Sequence, residues 1–148
     1  MIHLPDAAAT EALGHKLGRQ MRPGDVVALF GDLGAGKTSL ARGALAALGL
    51  AEEAPSPTFA IVQPYAPPEV SLRVAHVDLY RIDDPDDVVE LGLDEMLEDG
   101  ALLIEWPERL GDALWPQALR LTLKPDPSGG RRLTWAVPAA WEARWPPR

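Results

Sequence analysis

The sequence predicts an α/β fold in which helices cover both sides of a mixed central sheet, on three observations. A short apolar run at 25–30 leads through a glycine-rich turn into a helical segment at 37–48. A second run, 101–104, is apolar at consecutive positions, as strands buried in a parallel sheet are. Residues 71–80 instead alternate between apolar and polar, which indicates a half-exposed antiparallel strand.

The composition predicts one α/β domain spanning residues 1–148. The chain is 47% hydrophobic, enough for a core of its own at this length. Its net charge of −8 argues against a wide basic face that grips nucleic acid directly. Cysteine is absent, which excludes disulfides and cysteine metal sites. With no secretion signal and no apolar stretch of membrane-spanning length, a cytoplasmic protein without membrane association is expected.

The first helix is predicted between Asp6, a suitable N-cap, and the Pro23-Gly24 pair. A strand at 26–30 and a helix at 37–48 follow, with Gly49 as the residue that ends the helix. The buried side of the first helix is marked by apolar residues at four-residue spacing: Leu13, Leu17 and Met21.

The middle of the chain predicts an antiparallel strand pair followed by a helix. The strands are expected at 59–63 and 71–80, after a loop at 51–57, because the prolines in the 64–69 link suit turn or edge positions. Acidic residues at 84–87 favour a helix start, and that helix is expected to run to Leu97 and to end at Gly100. The remaining elements are a strand at 101–104, a short helix at 107–110, and strands at 119–123 and 132–137 around a turn at 126–130.

Residues 31–38 fit the pattern G-x-x-x-x-G-K-[ST] of a phosphate-binding loop, between a predicted strand and a predicted helix. Glycine lets backbone N–H groups turn inward around phosphate, and the following helix offers its positive end. Lys37 is expected to reach the β- and γ-phosphates, and the Thr38 hydroxyl to bind Mg²⁺. Because the chain contains no asparagine, the Asn-Lys-x-Asp guanine-reading motif is impossible, which favours ATP over GTP.

Bound Mg-ATP usually needs a second carboxylate at a strand end beside the loop, and Asp78 and Glu105 are the candidates. Glu105 is expected near the metal, because its strand is the better parallel partner of strand 26–30. Asp78 would then orient the attacking water or join the metal shell. His76 is expected to pack or to form a local hydrogen bond. Residues 56–59 are either an ordinary turn or a switch in which Thr58 senses the γ-phosphate or Mg²⁺.

Four segments together resemble the TsaE (YjeE) family, small bacterial ATPases of the tRNA threonylcarbamoyladenosine pathway. The resemblance runs from about Thr10 to Arg132, and the segments in order are 31–38, 56–59, 76–81 and 104–108. It implies ATP binding and slow hydrolysis in support of a complex that modifies adenosine 37 of tRNAs reading ANN codons. It also implies TsaD and TsaB as partners, TsaC as the source of the activated threonylcarbamoyl group, and only indirect contact with tRNA.

The resemblance also implies roles for single residues. Lys37 and Asp78 would be catalytic, Thr38 and Glu105 would bind Mg²⁺, and Thr58 would act in the switch. Nucleotide contacts are implied for the loop, for Trp106, and for two positions nearer the chain ends. These two are Thr10 and one arginine of the Arg131-Arg132 pair, of which Arg131 is taken. The full set of implied nucleotide contacts is Thr10, Asp32, Leu33, Gly34, Ala35, Gly36, Lys37, Thr38, Ser39, Trp106 and Arg131.

Two other functions remain open on the sequence. A small-molecule kinase would share the loop but needs an acceptor pocket and usually an arginine-bearing lid, and no clear lid is present although Arg81 and Arg109 could stabilise charge. In a nucleotide-switched binding module, ATP would order residues 56–59 as a docking surface and turnover would be incidental.

Overall fold

The computed structural model describes residues 1–32, 34–51 and 61–147, and seven strands within them form one mixed sheet. The strands are β1 (Ile2–Leu4), β2 (Val26–Phe30), β3 (Val62–Tyr65), β4 (Arg73–Asp78), β5 (Gly100–Glu105), β6 (Leu119–Pro125) and β7 (Arg131–Ala136). Their order across the sheet is β1-β7-β6-β2-β5-β4-β3. Strand β2 is parallel to β5 and β6, and β4 is parallel to β5, whereas the other neighbouring pairs are antiparallel. The predicted mixed sheet is confirmed.

Helices cover both faces of this sheet. They are α1 (Ala7–Gly18), α2 (Lys37–Ala47), α3 (Asp86–Val89) and α4 (Leu93–Met96), with 3₁₀ segments at Pro107–Ala113 and Ala139–Trp141. Val27 and Leu29 of β2 belong to the hydrophobic cluster that includes α1 and α2, while Val26 and Ala28 belong to the cluster beneath α3 and α4. Successive side chains of β2 thus pack into two hydrophobic cores, one on each face of the sheet. This arrangement confirms the prediction of a sheet between two layers of helices. None of the helices in the described ranges is long and apolar enough to cross a bilayer.

Helices α1 and α2 approach each other closely through glycine. A Cβ atom at Gly14 would lie 2.1 Å from the Leu40 carbonyl oxygen, and one at Gly43 would lie 2.1 Å from the Glu11 carbonyl oxygen. Any larger residue would push the two backbones apart. This contact fixes α2, and with it the loop at the N-terminus of α2, against the rest of the layer.

The predicted C-terminal end is right for α2, whereas for α1 it lies too far along the sequence. The Asp6 carboxylate accepts the Ala9 N–H at 2.8 Å, so its N-cap role is confirmed. Helix α1 nevertheless ends at Gly18 and not near residues 23–24, because the Met21 N–H donates to the Gly18 carbonyl in a tighter turn. Gly49 follows α2 with φ of 110° and ends it as predicted.

The prediction of a single helix from 84–87 to Leu97 is wrong. The chain forms two one-turn helices, α3 and α4, because Gly92 between them has a left-handed backbone with φ of 70°. Gly100 does not end a helix either. It is the first residue of β5, where its carbonyl accepts the Gly24 N–H at 2.8 Å.

The antiparallel pair is confirmed, with two corrections to its strands. Strand β3 includes Pro64, which fits because β3 lies at the sheet edge, and the predicted start at 59–60 lies outside the described residues. Strand β4 is not half-exposed as predicted. It lies between β3 and β5, and its residues 74–77 are buried. Strand β1, which was not predicted, pairs with β7.

Candidate functional site

The loop between β2 and α2 lies at the edge where the parallel strands β2, β4 and β5 have their carboxyl ends. In the register, Leu29 pairs with Glu105 and Asp78 also pairs with Glu105. The two predicted carboxylate residues are therefore neighbours beside the loop, as ligand-binding groups of parallel sheets commonly are.

The loop backbone takes a shape that glycine permits. Gly31 and Gly36 have φ values of 147° and 101°, and a Cβ atom at Gly31 would lie 2.7 Å from the Leu123 carbonyl oxygen. Gly36 is the N-cap of α2 and, because it has no side chain, provides no side-chain cap. Within the described residues, no side chain accepts a hydrogen bond from the first N–H groups of α2, which are suited to bind an anion.

Lys37, the first residue of α2, is a buried cation with 4% of its surface exposed. Its Nζ donates to the Gly31 carbonyl at 2.6 Å and lies 3.6 Å from the centre of the Trp106 ring. Burial lowers the pKa of the Lys37 ammonium below its ordinary value, and the negative charge of Glu105 opposes that shift. The ammonium is placed where a phosphate would give it a charged partner.

Glu105 is held by side chains from two other elements. The Thr38 hydroxyl lies 3.0 and 3.2 Å from the two carboxylate oxygens, and His76 Nε2 lies 2.6 Å from Oε2. His76 is fully buried, and its Nδ1 has no hydrogen-bond partner within the described part of the chain. His76 packs in the interior as expected, but its hydrogen bond crosses to the neighbouring strand. No pattern along the chain signals this pairing, because it depends on the order of the strands.

Asp78 lies at the end of β4 with its carboxylate half-buried. Its Oδ1 accepts the Tyr80 N–H at 2.9 Å. Burial raises the pKa of the Asp78 carboxyl above its ordinary value, the Tyr80 N–H opposes this rise, and Glu105 adds to it. A carboxylate of raised proton affinity at this edge is suited to accept a hydrogen bond from water.

Arg131 contacts the phosphate loop from the start of β7. Its Nη2 donates to the Gly34 carbonyl at 2.8 Å, and its Nε donates to the Ala35 carbonyl at 3.2 Å. Arg132 is the next residue of β7, opposite His3 of β1 and Lys124 of β6, and successive side chains of a strand point to opposite faces of the sheet. Of the two arginines, Arg131 is the one at the loop.

A cavity of about 280 Å³ adjoins the loop on the side of Arg131. Thr10 is buried there, and its Cγ2 lies 3.7 Å from where a Cβ atom on Gly36 would be. The cavity brings together predicted nucleotide-contact positions from three separate segments: Thr10, Gly34, Gly36, Ser39 and Arg131.

Trp106 joins the end of β5 to the 3₁₀ segment through an unusual backbone. Its φ of 58° is the only positive value at a non-glycine residue within the described ranges. Its ring contacts that of Tyr80, with centroids 4.9 Å apart, besides lying against Lys37. Strained backbone of this kind often occurs at functional sites. Trp106 thus lies beside the lysine of the loop, and its contact with a nucleotide stays a prediction.

The donor set fits a magnesium ion bound together with phosphate. Within the described residues there is no group of three or more His, Cys, Asp or Glu side chains that could hold a metal by themselves. Mg²⁺, however, is usually held by one or two protein oxygens together with phosphates and waters. The Thr38 hydroxyl and the Glu105 carboxylate supply such oxygens.

Two predicted parts of the site lie outside the described residues. They are Leu33 within the loop, and the 56–59 segment with Thr58. Asp32 lies at the start of the loop, and its charge acts on Lys37.

Proteins that place a glycine loop between a central parallel strand and a helix, with a buried lysine at the helix start, are P-loop nucleotide-binding proteins. The fold and the site put this chain in that class. Within it, the family model described as "Threonylcarbamoyl adenosine biosynthesis protein TsaE" matches residues 4–133. The chain belongs to the TsaE family.

Known proteins resemble the chain over most of its length. The TsaE protein of Mycobacterium tuberculosis is 37% identical over 141 residues, which cover 90% of this chain and 84% of that protein. The TsaE protein of a Synechocystis strain is 43% identical over 113 residues, which cover 72% of this chain and 69% of that protein. The crystal structure of Bacillus subtilis YdiB superposes with a TM-score of 0.78 at 31% identity and covers 93% of this chain and 85% of that one.

Proposed function

We propose that this protein binds and slowly hydrolyses Mg-ATP in support of threonylcarbamoylation of adenosine 37 in tRNAs that read ANN codons. It acts as the ATPase partner of TsaD and TsaB and does not itself transfer the group. The observation that carries the chemistry is the contact of Thr38 with Glu105 beside the buried Lys37. The pathway follows from membership of the TsaE family.

The phosphates would bind to the loop N–H groups and to Lys37. In the present structure the Lys37 ammonium has a carbonyl and an aromatic ring as its neighbours, both weaker partners than a phosphate dianion. The nucleoside would occupy the cavity beside Thr10, Ser39 and Arg131. Binding there places the triphosphate along the start of α2.

Thr38 and Glu105 would hold Mg²⁺, with His76 keeping the carboxylate in place. When bound, the ion would reduce the negative charge of the phosphates. The Thr38 hydroxyl donates a hydrogen bond to Glu105, so the lone pairs of its oxygen stay free to coordinate a metal. His76 acts through Glu105 and is a positioning residue.

Asp78 would orient the water that attacks the γ-phosphate. Its carboxylate has one oxygen engaged by the Tyr80 N–H, which leaves the other oxygen able to accept from water. Because burial raises the pKa of this carboxyl, it accepts a hydrogen bond more readily than an exposed aspartate does.

The net charge of −8 supports an indirect relation to tRNA, with TsaD and TsaB making the RNA contacts in the cytoplasm. We expect poor binding of free tRNA at physiological salt. Tight and salt-sensitive binding in a filter assay would contradict this part of the proposal.

The decisive experiment counts ATP molecules hydrolysed and tRNA molecules modified, with and without the TsaD–TsaB complex. Hydrolysis that accompanies repeated rounds of modification is expected. Modification that cycles without ATP turnover would favour the nucleotide-switched binding module. Transfer of the γ-phosphoryl group to a small acceptor in place of water would indicate a kinase.

A further inference from the structure

An apolar groove lies on the side of the sheet opposite α1 and α2. It has a volume of about 330 Å³ and is formed by α3, α4 and the 3₁₀ segment. We call it the α3–α4 groove, and its apolar lining is Pro85, Val88, Val89, Leu93, Leu110 and Trp115. Val88, Leu93 and Leu110 are buried at its base, whereas Val89 at its rim is 80% exposed. Val89 extends the apolar lining of the groove to the surface, and a contiguous apolar surface rimmed by polar residues is a feature of interaction sites.

Segment 83–99 supplies most of the lining of this groove, including the two acidic residues at its rim, Asp94 and Glu95, and it carries the net negative charge of the protein. Residues 83–99 contain nine of the 22 acidic residues and no lysine, arginine or histidine, while the rest of the chain is almost balanced. Within the described ranges, Asp99 is the one of these nine that forms an ion pair, at 3.3 Å with Arg73. Asp94 accepts the Trp115 indole N–H at 2.7 Å, which joins two walls of the groove. The other carboxylates of this segment face solvent.

We propose that the α3–α4 groove docks a segment of a partner protein that presents an apolar side chain flanked by lysine or arginine. The apolar side chain would cover Val89 and the base of the groove, and the flanking cations would meet the acidic rim. The same rim repels nucleic acid and anionic lipid head groups, and it repels a second copy of itself.

The groove is connected to the nucleotide-binding side of the molecule through two loops. Helix α3 follows the loop that begins at Asp78, and the 3₁₀ segment begins directly after Trp106. Arg109 Nη2 donates to the Tyr80 carbonyl at 3.0 Å and so ties the two loops together. The docking itself needs neither nucleotide nor hydrolysis, and it therefore goes beyond the proposed function.

An NMR titration of the ¹⁵N-labelled full chain tests this docking. The probe is a 12-residue peptide with a central leucine pair flanked by lysine and arginine. Two control peptides replace the basic residues by glutamate or the leucines by serine. We expect saturable shifts confined to residues 85–95 and 110–115 with the first peptide, and clearly weaker binding of both controls. Shifts on another face, no saturable binding, or equal binding of the glutamate peptide would overturn the proposal.

Two exposed acidic residues give matched variants for the same titration. Glu90→Lys changes an exposed residue of the acidic segment next to Val89, and Glu142→Lys makes the same change of charge at an exposed position outside that segment. Glu90→Lys is expected to lower the affinity for the basic peptide by about fivefold, because it replaces an attraction by a repulsion. Glu142→Lys is expected to have little effect on this affinity. Val89→Ser should weaken binding without any change of charge. Equal affinities for Glu90→Lys and Glu142→Lys would contradict the acidic rim as the basis of recognition.

Discussion

The two halves of the site are held together by different kinds of contact. On the loop side, the cations of Lys37 and Arg131 donate to backbone carbonyls of Gly31, Gly34 and Ala35. On the strand side, Glu105 is held by the side chains of Thr38 and His76. A backbone carbonyl can be exchanged for phosphate without leaving a buried charge unpaired, whereas losing one side chain from the strand side leaves buried polar groups without partners. The loop side is thus suited to exchange ligands, and the strand side to stay fixed.

Lys37→Ala should have the largest effect on turnover. The Lys37 ammonium is proposed to bind the transferred phosphate, and removing one such group typically slows the chemical step by about 100- to 1,000-fold. Steady-state ATP hydrolysis measures this, with Lys124→Ala, an exposed lysine on β6, as the control. Near-normal turnover in Lys37→Ala would remove the loop from the proposed catalysis.

Glu105→Ala and Asp78→Ala should separate metal binding from water activation. Glu105→Ala should weaken Mg²⁺-dependent nucleotide binding by on the order of 100-fold, because it removes a charged ligand. Binding in excess EDTA should change little. Asp78→Ala should lose turnover and keep nucleotide binding. Calorimetric titration with and without Mg²⁺ distinguishes them, and the opposite pattern would mean that the two roles are exchanged.

His76→Leu tests whether the strand side depends on its buried hydrogen bond. With Glu105 no longer held, the Mg²⁺ concentration for half-maximal nucleotide binding should rise by about tenfold, as is usual when a partner of a metal ligand is lost. His76→Gln, which keeps an N–H donor, should recover part of this loss. A purely structural role would instead lower the melting temperature in both variants and leave the Mg²⁺ requirement unchanged.

Arg131→Ala and its neighbour Arg132→Ala form a matched pair on the loop side. Arg131→Ala removes the hydrogen bonds to Gly34 and Ala35, and we expect a nucleotide affinity about fivefold lower together with about 1–3 kcal/mol less stability. Arg132→Ala should stay close to wild type in nucleotide affinity. Equal losses in the two variants, measured by calorimetry, would show that Arg131 has no particular role at the loop.

Asp78→Asn should give the smallest effect, a gain in stability that depends on pH. Burial raises the pKa of this carboxyl in the folded protein above its ordinary value of 3.8, so the folded state binds more protons between these two pKa values. Stability of the wild type therefore falls as pH rises through that window. The variant should melt higher than wild type at neutral pH, and the difference should vanish below pH 3.8. A lower melting temperature at neutral pH would contradict the assigned shift.

Several parts of the fold were predictable because their signals are local. The N-cap at Asp6 and the glycine that ends α2 depend on contacts within a few residues of the chain, and β5 is marked by the continuous apolar run at 101–104. The errors occurred where a local pattern met a tertiary constraint. The helix predicted through Gly92 is interrupted by a left-handed glycine. Strand β4 is buried because both of its faces are covered: Val74 belongs to the cluster with α1 and α2, and Ala75 and Val77 belong to the cluster beneath α3 and α4.

By itself, the sequence determined the phosphate loop between strand and helix, since the dihedral freedom of glycine and the positive end of α2 belong to one continuous segment. Only the tertiary structure decided which side chains complete the site. Thr38 meets Glu105 across 67 residues of chain, His76 meets it across 29, and Arg131 reaches Gly34 across 97. These contacts follow from the order in which the strands pair, which is set by the burial of two separate cores and not by any pattern along the chain.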